Sequence, residues 1–206
     1  MLAEPMACMR CPHCGQDLAE SGTVLRCPSR HTYDVSRQGY VNLLPGDAGS
    51  SNADTAAMVA ARDRFLSAGH FAPIADAVAG QAVAHAAPSG CLLDIGAGTG
   101  YYLASVLESM PSRTGIAADL SKHSARRAAR AHPRMASVVA DVWSSLPLHD
   151  RSVALIIDVF APRNPAEFHR VLHPGGAVVV VTPLPDHLRE LVVPLSLIGA
   201  RSEEHT

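Results

Sequence analysis

Lysine is nearly missing from this chain: of its seventeen cationic residues only Lys122 is not an arginine. Alanine is abundant too, so a coding bias explains the preference better than a need for guanidinium groups. Neither sign of charge is in excess, with a formal net charge of −2. That excludes a polyelectrolyte-like nucleic-acid binder, and any nucleic-acid contact must be a local patch. No apolar run reaches the length of a membrane span, and the first residues lack a charged-then-apolar signal. The expectation is a cytoplasmic protein with no membrane partner. Aromatic residues make up 4% of the chain. Cysteine is scarce after residue 27, where only Cys91 remains of five. Four thiols crowded at one end, in a reducing compartment, suggest a metal site and not a disulfide framework. With 206 residues, 48% hydrophobic and 17% charged, the chain can bury a sizeable core. It suits one large α/β domain, or one domain with a small appendage.

The crowded end reads Cys11-Pro12-His13-Cys14-Gly15, then Cys27-Pro28-Ser29-Arg30-His31 after twelve residues, a C-x2-C-x12-C-x3-H pattern. Two turns each present two ligands, and four such ligands complete the closed tetrahedral shell of a structural Zn2+ site. Cys11, Cys14, Cys27 and His31 are the candidate ligands. Cys8 competes through Cys8-x2-Cys11, and His13 is a spare. The Cys11/Cys14 pair is preferred because Cys11 precedes proline, as Cys27 does, and Cys14 precedes glycine. Redox-active or merely buried thiols are the bland alternative. The residues between the turns read as a short hairpin, with 23–25 its most strand-like part. Residues 1–7 read as a loose leader.

The middle of the chain is organised around Cys91-Leu92-Leu93-Asp94-Ile95-Gly96-Ala97-Gly98-Thr99-Gly100-Tyr101-Tyr102. Alternating glycines would ruin a helix interior but suit a strand-to-helix turn that a cofactor approaches closely. The dinucleotide fingerprint requires glycine where Tyr101 stands, which weakens a nicotinamide or flavin reading. Asp94 followed by Gly96, Gly98 and Gly100 resembles motif I of the seven-strand S-adenosylmethionine-dependent methyltransferases. The implied cofactor cradle is Asp94, Gly96, Gly98, Gly100, Tyr101 and Tyr102. A second strand ends at Asp119, 25 residues after Asp94, a spacing suited to gripping a ribose diol; the alternative is a cap for the next helix. A third strand reaches Asp141, which in similar methyltransferases holds the adenine amino group, with Val142 stacked on the ring.

Elsewhere, Asp54 or Thr55 can cap a helix over 56–66 whose Met58, Ala61, Phe65 and Leu66 share a face, a pattern typical of core. Gly69 ends it, and a second helix runs to about Val83. Residues 45–52 read as a loop or linker. Arg62 or Arg64 can meet phosphate or simply be solvated. Arg126, Arg130 and Arg134 align at i, i+4, i+8 on a helix expected to be a solvated face. A buried central strand over 152–160 leads into a loop on the methyl-acceptor side, and a fifth strand follows a short helix.

A four-ligand ribbon, then HTYDVSRQGYVNLL from His31, then motif I, with ARDRFLSAGHF from Ala61 and TPLPDHLREL from Thr182, is a narrow combination. It resembles the 23S rRNA (guanine-N1)-methyltransferase family, some of whose members protect macrolide producers against antibiotics such as tylosin. The resemblance spans about Cys11 to Leu191. It implies a zinc ribbon (8–44), a linker and helical segment (45–90) and a Rossmann-like α/β domain (91–206) that binds S-adenosylmethionine. It also implies a 23S rRNA hairpin as partner and a homodimer with an RNA cleft. Guanine N1 must lose a proton, and Asp158, Asn164 and His187 are candidates for that work by their places at strand ends. Phe160 is the candidate to stack on a flipped base. The last eight residues carry no strand pattern, so the domain reads as lacking its final two strands. Two rival readings are a methyltransferase for another RNA or a small molecule, and an inactive RNA-binding remnant.

Overall fold

The computed structural model describes residues 3–44 and 53–192. The expected 45–52 linker and the residues that prompted the missing-strand expectation lie outside that range. The chain begins with helix α1 (Ala3–Cys8) and an antiparallel ribbon of β1 (Ala19–Ser21), β2 (Val24–Arg26) and β3 (Thr32–Asp34). β4 (Tyr40–Asn42), α2 (Ala56–Ser67) and α3 (Ala72–His85) follow. Alternating units come next: β5 (Cys91–Ile95), α4 (Tyr101–Ser109), β6 (Gly115–Asp119), α5 (Lys122–Ala128) and β7 (Met135–Val139). The described chain finishes with β8 (Val153–Val159), α6 (Pro165–Val171), β9 (Leu172–Val181) and α7 (Arg189–Val192).

The main sheet has the order β4-β7-β6-β5-β8-β9, and every neighbouring pair is parallel. Parallel strands covered on both faces read as continuous apolar runs; all residues of β5, β7 and β8 are buried. Strand order reverses between β6 and β8 around β5, the switch point where α/β sheets open a crevice at the carboxyl ends of their strands.

The ribbon is built into this sheet. Its outgoing chain supplies β4, which pairs with β7 from Tyr40 opposite Ser137 to Asn42 opposite Val139. Residues 40–42, expected within the ribbon, therefore extend the α/β sheet. One apolar core joins Met9, Leu25 and Val41 to Leu93, Ile95, Ile116 and Val138 on one face. A second core on the opposite face joins Val78 and Ala82 of α3 and Leu103 and Leu107 of α4 to Leu92, Ala117, Leu155 and Ile157. Alternate residues of β5 thus serve both cores, as a pleated strand dictates.

Three local expectations are corrected. Residues 3–8 are helical, with Met6 and Cys8 buried in the ribbon-side core, so they are no loose leader. In α2, Val59 and Leu66 are buried, whereas Met58 and Phe65 stand about half exposed. Helix α5 stops at Ala128, so Arg126, Arg130 and Arg134 form no helical stripe. Arg134 instead donates to the carbonyls of Leu107, Met110 and Arg113, and so ties the turn that follows α4 to the start of β7. β9 is the edge strand opposite β4 among the described residues, with Val178 and Val180 partly exposed.

Candidate active site

A cavity of about 730 Å³ opens at the carboxyl ends of β5, β6 and β8. Its floor is the turn from β5 to α4. Gly96 (φ +62°) and Gly98 (φ +55°) occupy the left-handed region that glycine enters without strain. A Cβ on Gly96 would stand 2.7 Å from the Cβ of Ala161, so the turn packs directly on the loop after β8. Gly100 caps α4, and Tyr101 and Tyr102 open it against the cavity.

The strand-end acids converge here. Asp94 is fully buried, and its Oδ2 has no hydrogen-bond partner among the described residues. Burial, then the charges of Asp119 and Asp158, push its carboxyl well above the usual range. Asp119 accepts hydrogen bonds from the Gly98 N–H (2.8 Å) and the Ser121 N–H (2.7 Å). Burial raises its pKa, and those two donors work in the opposite direction. The cap of α5 is Ser121, whose Oγ accepts from His123 and Ser124, which leaves Asp119 anchored to the glycine turn. Asp141 accepts from the Trp143 N–H (3.0 Å) and lines the cavity beside Val142.

These features fit S-adenosylmethionine. A buried, unpartnered carboxylate oxygen awaits a cationic donor, a second acid lies one strand away, and the glycine turn leaves room above it.

Of the four residues proposed for chemistry, only Phe160 lines the cavity. Its φ of +54° is a conformation that bulky side chains rarely adopt, which marks a constrained placement. Its ring is half exposed and lies 6.3 Å from that of Phe71, which meets Phe65 edge-on at 5.2 Å. Asp158 is wholly buried beneath the cavity, with Arg163 Nη1 3.8 Å from its Oδ1. It lies outside the cavity lining, and its charge helps to raise the Asp94 pKa. Asn164 caps α6 by accepting from the Glu167 N–H and donates to the Val142 carbonyl. His187 is exposed and away from the cavity lining.

Sequence reasoning missed Phe65, Phe71 and Trp143 as cavity residues. Phe65 was placed in the core by helical spacing. Trp143, the only tryptophan, is 67% exposed two residues after the acid Asp141; an unsupported aromatic so near such an acid was the available signal.

At the ribbon, Cys11, Cys14, Cys27 and His31 place their ligand atoms within 4.8 Å of one another. Three edges of this cluster measure 3.5 Å (Cys11 Sγ to His31 Nδ1), 3.4 Å (Cys27 Sγ to His31 Nδ1) and 3.6 Å (Cys14 Sγ to Cys27 Sγ). A tetrahedral Zn2+ with ordinary bond lengths requires edges of about 3.5–3.8 Å, so the donor set fits zinc. Burial pushes the Cys11 thiol up, but hydrogen bonds from Tyr33 and the backbone outweigh it, and its pKa is lowered to about 6. Cys8 lies apart, its thiol donating to the Ser152 carbonyl.

Comparison with known proteins agrees with this geometry. Residues 9–52 match the RlmA N-terminal zinc-ribbon family, and residues 92–176 match a methyltransferase-domain family. A 23S rRNA (guanine(748)-N(1))-methyltransferase of Streptomyces fradiae is 52% identical over 198 residues, which cover 95% of this chain and 70% of that one. A Micromonospora griseorubida relative of the same class is 48% identical, over 92% and 70% of the two chains. Among solved structures, an S-adenosyl-L-methionine-dependent methyltransferase from Methanococcus maripaludis superposes with a TM-score of 0.54 at 22% identity. That match covers 74% of this chain and 73% of that one, and shows the fold. With two relatives at this identity over most of its length, the chain belongs to the 23S rRNA (guanine-N1)-methyltransferase family.

Proposed function

We propose that this protein methylates N1 of a guanine in 23S rRNA, with S-adenosylmethionine as donor. The observation that carries the reading is the buried Asp94 oxygen at the switch-point cavity, in a chain 52% identical to a guanine-N1 enzyme. When bound, the cofactor supplies an electrophilic methyl group on a sulfonium. Asp94 binds its ammonium group, Asp119 the ribose hydroxyls, and Asp141 with Val142 the adenine. The glycine turn orients the donor, so that most of the rate gain comes from alignment and exclusion of water.

N1 lies on the pairing edge of guanine, so the base must leave its stack to be reached. Phe160, supported by Phe71 and Phe65, offers an aromatic face at the cavity mouth for that base, and base–aromatic stacking is worth about 1–3 kcal/mol. The ribbon is held by one zinc on Cys11, Cys14, Cys27 and His31. Through β4 it forms part of the catalytic sheet, so metal and active site share one scaffold. The family resemblance adds a 23S rRNA hairpin as substrate, a homodimer that grips it, and macrolide (tylosin) resistance as the outcome.

The test is transfer of labelled methyl to unmodified 23S rRNA, with the modified base mapped by primer extension, beginning at guanine 748. The expected result is incorporation at one guanine N1 and none with Asp94→Asn. Cofactor binding by calorimetry without incorporation into rRNA would overturn the substrate assignment and leave another RNA, or no acceptor, as the reading.

A further inference from the structure

We infer that Arg62 receives the methionine carboxylate of the cofactor, and that Asp54 holds its guanidinium in place beforehand. This rests on the methyltransferase reading above. Four carboxylates line the cavity (Asp54, Asp94, Asp119 and Asp141) against one Lys or Arg side chain among the described residues, Arg62. The acids suit the ammonium, hydroxyl and amino groups of S-adenosylmethionine. They are the wrong sign for its carboxylate, which beside them would be repelled or forced to protonate.

The glycine turn offers little compensation. The Gly98 N–H is committed to Asp119, that of Gly100 to the Ala97 carbonyl, and that of Ala97 to the Ala118 carbonyl. Arg62 lies against this same turn: its Cδ is 3.6 Å and its Nη1 3.8 Å from where a Cβ on Gly98 would stand. Its side chain is 44% exposed, so it can turn without repacking the core. Asp54 pairs with Nη1 of Arg62, and the Asp54 carbonyl is pinned by the Ser121 hydroxyl at 2.6 Å. A guanidinium has five N–H donors in a fixed fork. Arg62 can therefore keep Asp54 and still present a second pair of donors to an incoming carboxylate, the two-point geometry that arginine favours. This makes Arg62 a cofactor-binding residue. The alternative role, contact with RNA phosphate, becomes an outcome of the test.

The experiment is calorimetric titration of wild type, Arg62→Gln and Arg62→Lys with S-adenosylmethionine and with decarboxylated S-adenosylmethionine. The two ligands differ only in the carboxylate, so the comparison isolates one contact. Arg62→Gln is expected to weaken the intact cofactor on the order of ten- to hundredfold while leaving the decarboxylated ligand within about twofold. Arg62→Lys, which keeps the charge but not the fork, should fall between, and it carries the comparison if Arg62→Gln folds poorly. Equal weakening of both ligands would overturn the inference in favour of a structural tie between α2 and Asp54. Unchanged binding of both, with weaker rRNA binding, would overturn it in favour of phosphate contact. A wild-type protein that binds neither ligand would overturn the cofactor reading itself, a result distinct from either.

Discussion

Adding one methyl group to the glycine turn should have very different effects two residues apart. On Gly96 the new Cβ would lie 2.7 Å from Ala161 Cβ, about 1 Å inside ordinary carbon–carbon contact. Both atoms are fixed to backbone, so no rotamer change relieves the overlap; either the turn or the loop after β8 must move. A φ of +62° adds left-handed strain of about 1–2 kcal/mol for an L-residue, and overpacking adds about 1–3 kcal/mol. The expected loss for Gly96→Ala is therefore about 2–5 kcal/mol. On Gly98 the backbone strain is the same, but the Cβ meets nothing nearer than Arg62 Cδ at 3.6 Å, an ordinary distance. Gly98→Ala should cost about 1–2 kcal/mol. Urea unfolding of the cofactor-free proteins reads the difference directly. With a slope of about 1–3 kcal/mol/M, the two midpoints should separate by roughly 1 M. Equal destabilisation, or the reverse order, would refute the reading that Ala161 packs directly on Gly96.

Three further outcomes are expected. Cys14→Ser, or treatment with a strong chelator, should release one zinc per chain and unfold the ribbon, since structural zinc supplies folding free energy directly; because β4 borders β7, proteolysis should then also reach the sheet edge, and a sheet that stays protected would contradict the shared scaffold. Asp94 has a raised native pKa, so its stability contribution is fully present below about pH 4 and is lost as pH rises through the native value. Asp94→Asn should remove that decline in thermal melts of the cofactor-free protein while abolishing cofactor binding, and an unchanged pH slope would count against the burial argument. Arg170 ties Glu167 (2.6 Å), Asp150 (2.7 Å) and the carbonyls of Leu146 and Leu148 together. Arg170 and Glu167 are only partly buried, so Arg170→Met should cost about 1–2 kcal/mol at neutral pH. Glu167 has a lowered pKa, through Arg170 first, so its contribution holds above about pH 4.3 and is lost as pH falls through the native value; the variant should lack that acid loss.

What could be read from the sequence was local chemistry. Alternating glycines after a short apolar run dictate a strand-to-helix turn wherever they occur, and acids at the ends of successive parallel strands must gather at one rim of the sheet. The ribbon's four donors needed only spacing to be seen as a set. What could not be read depends on distance across the fold. β4 joins the sheet because Val41 completes a core with Val138, nearly a hundred residues later, and nothing in a three-residue strand announces its partner. Arg134 looked like part of a basic stripe, but its place is set by where α4 ends. Depth is the other hidden variable. Asp158 and Phe160 are two residues apart at the same strand end, yet one lies under the cavity floor and the other turns outward through a left-handed φ. Arg62 shows why this matters for function: on its own helix it is one of two arginines on a polar surface. Only packing against Gly98 makes it the sole cation among four acids lining the described cavity, and that imbalance of charge gives it a role toward an anionic group.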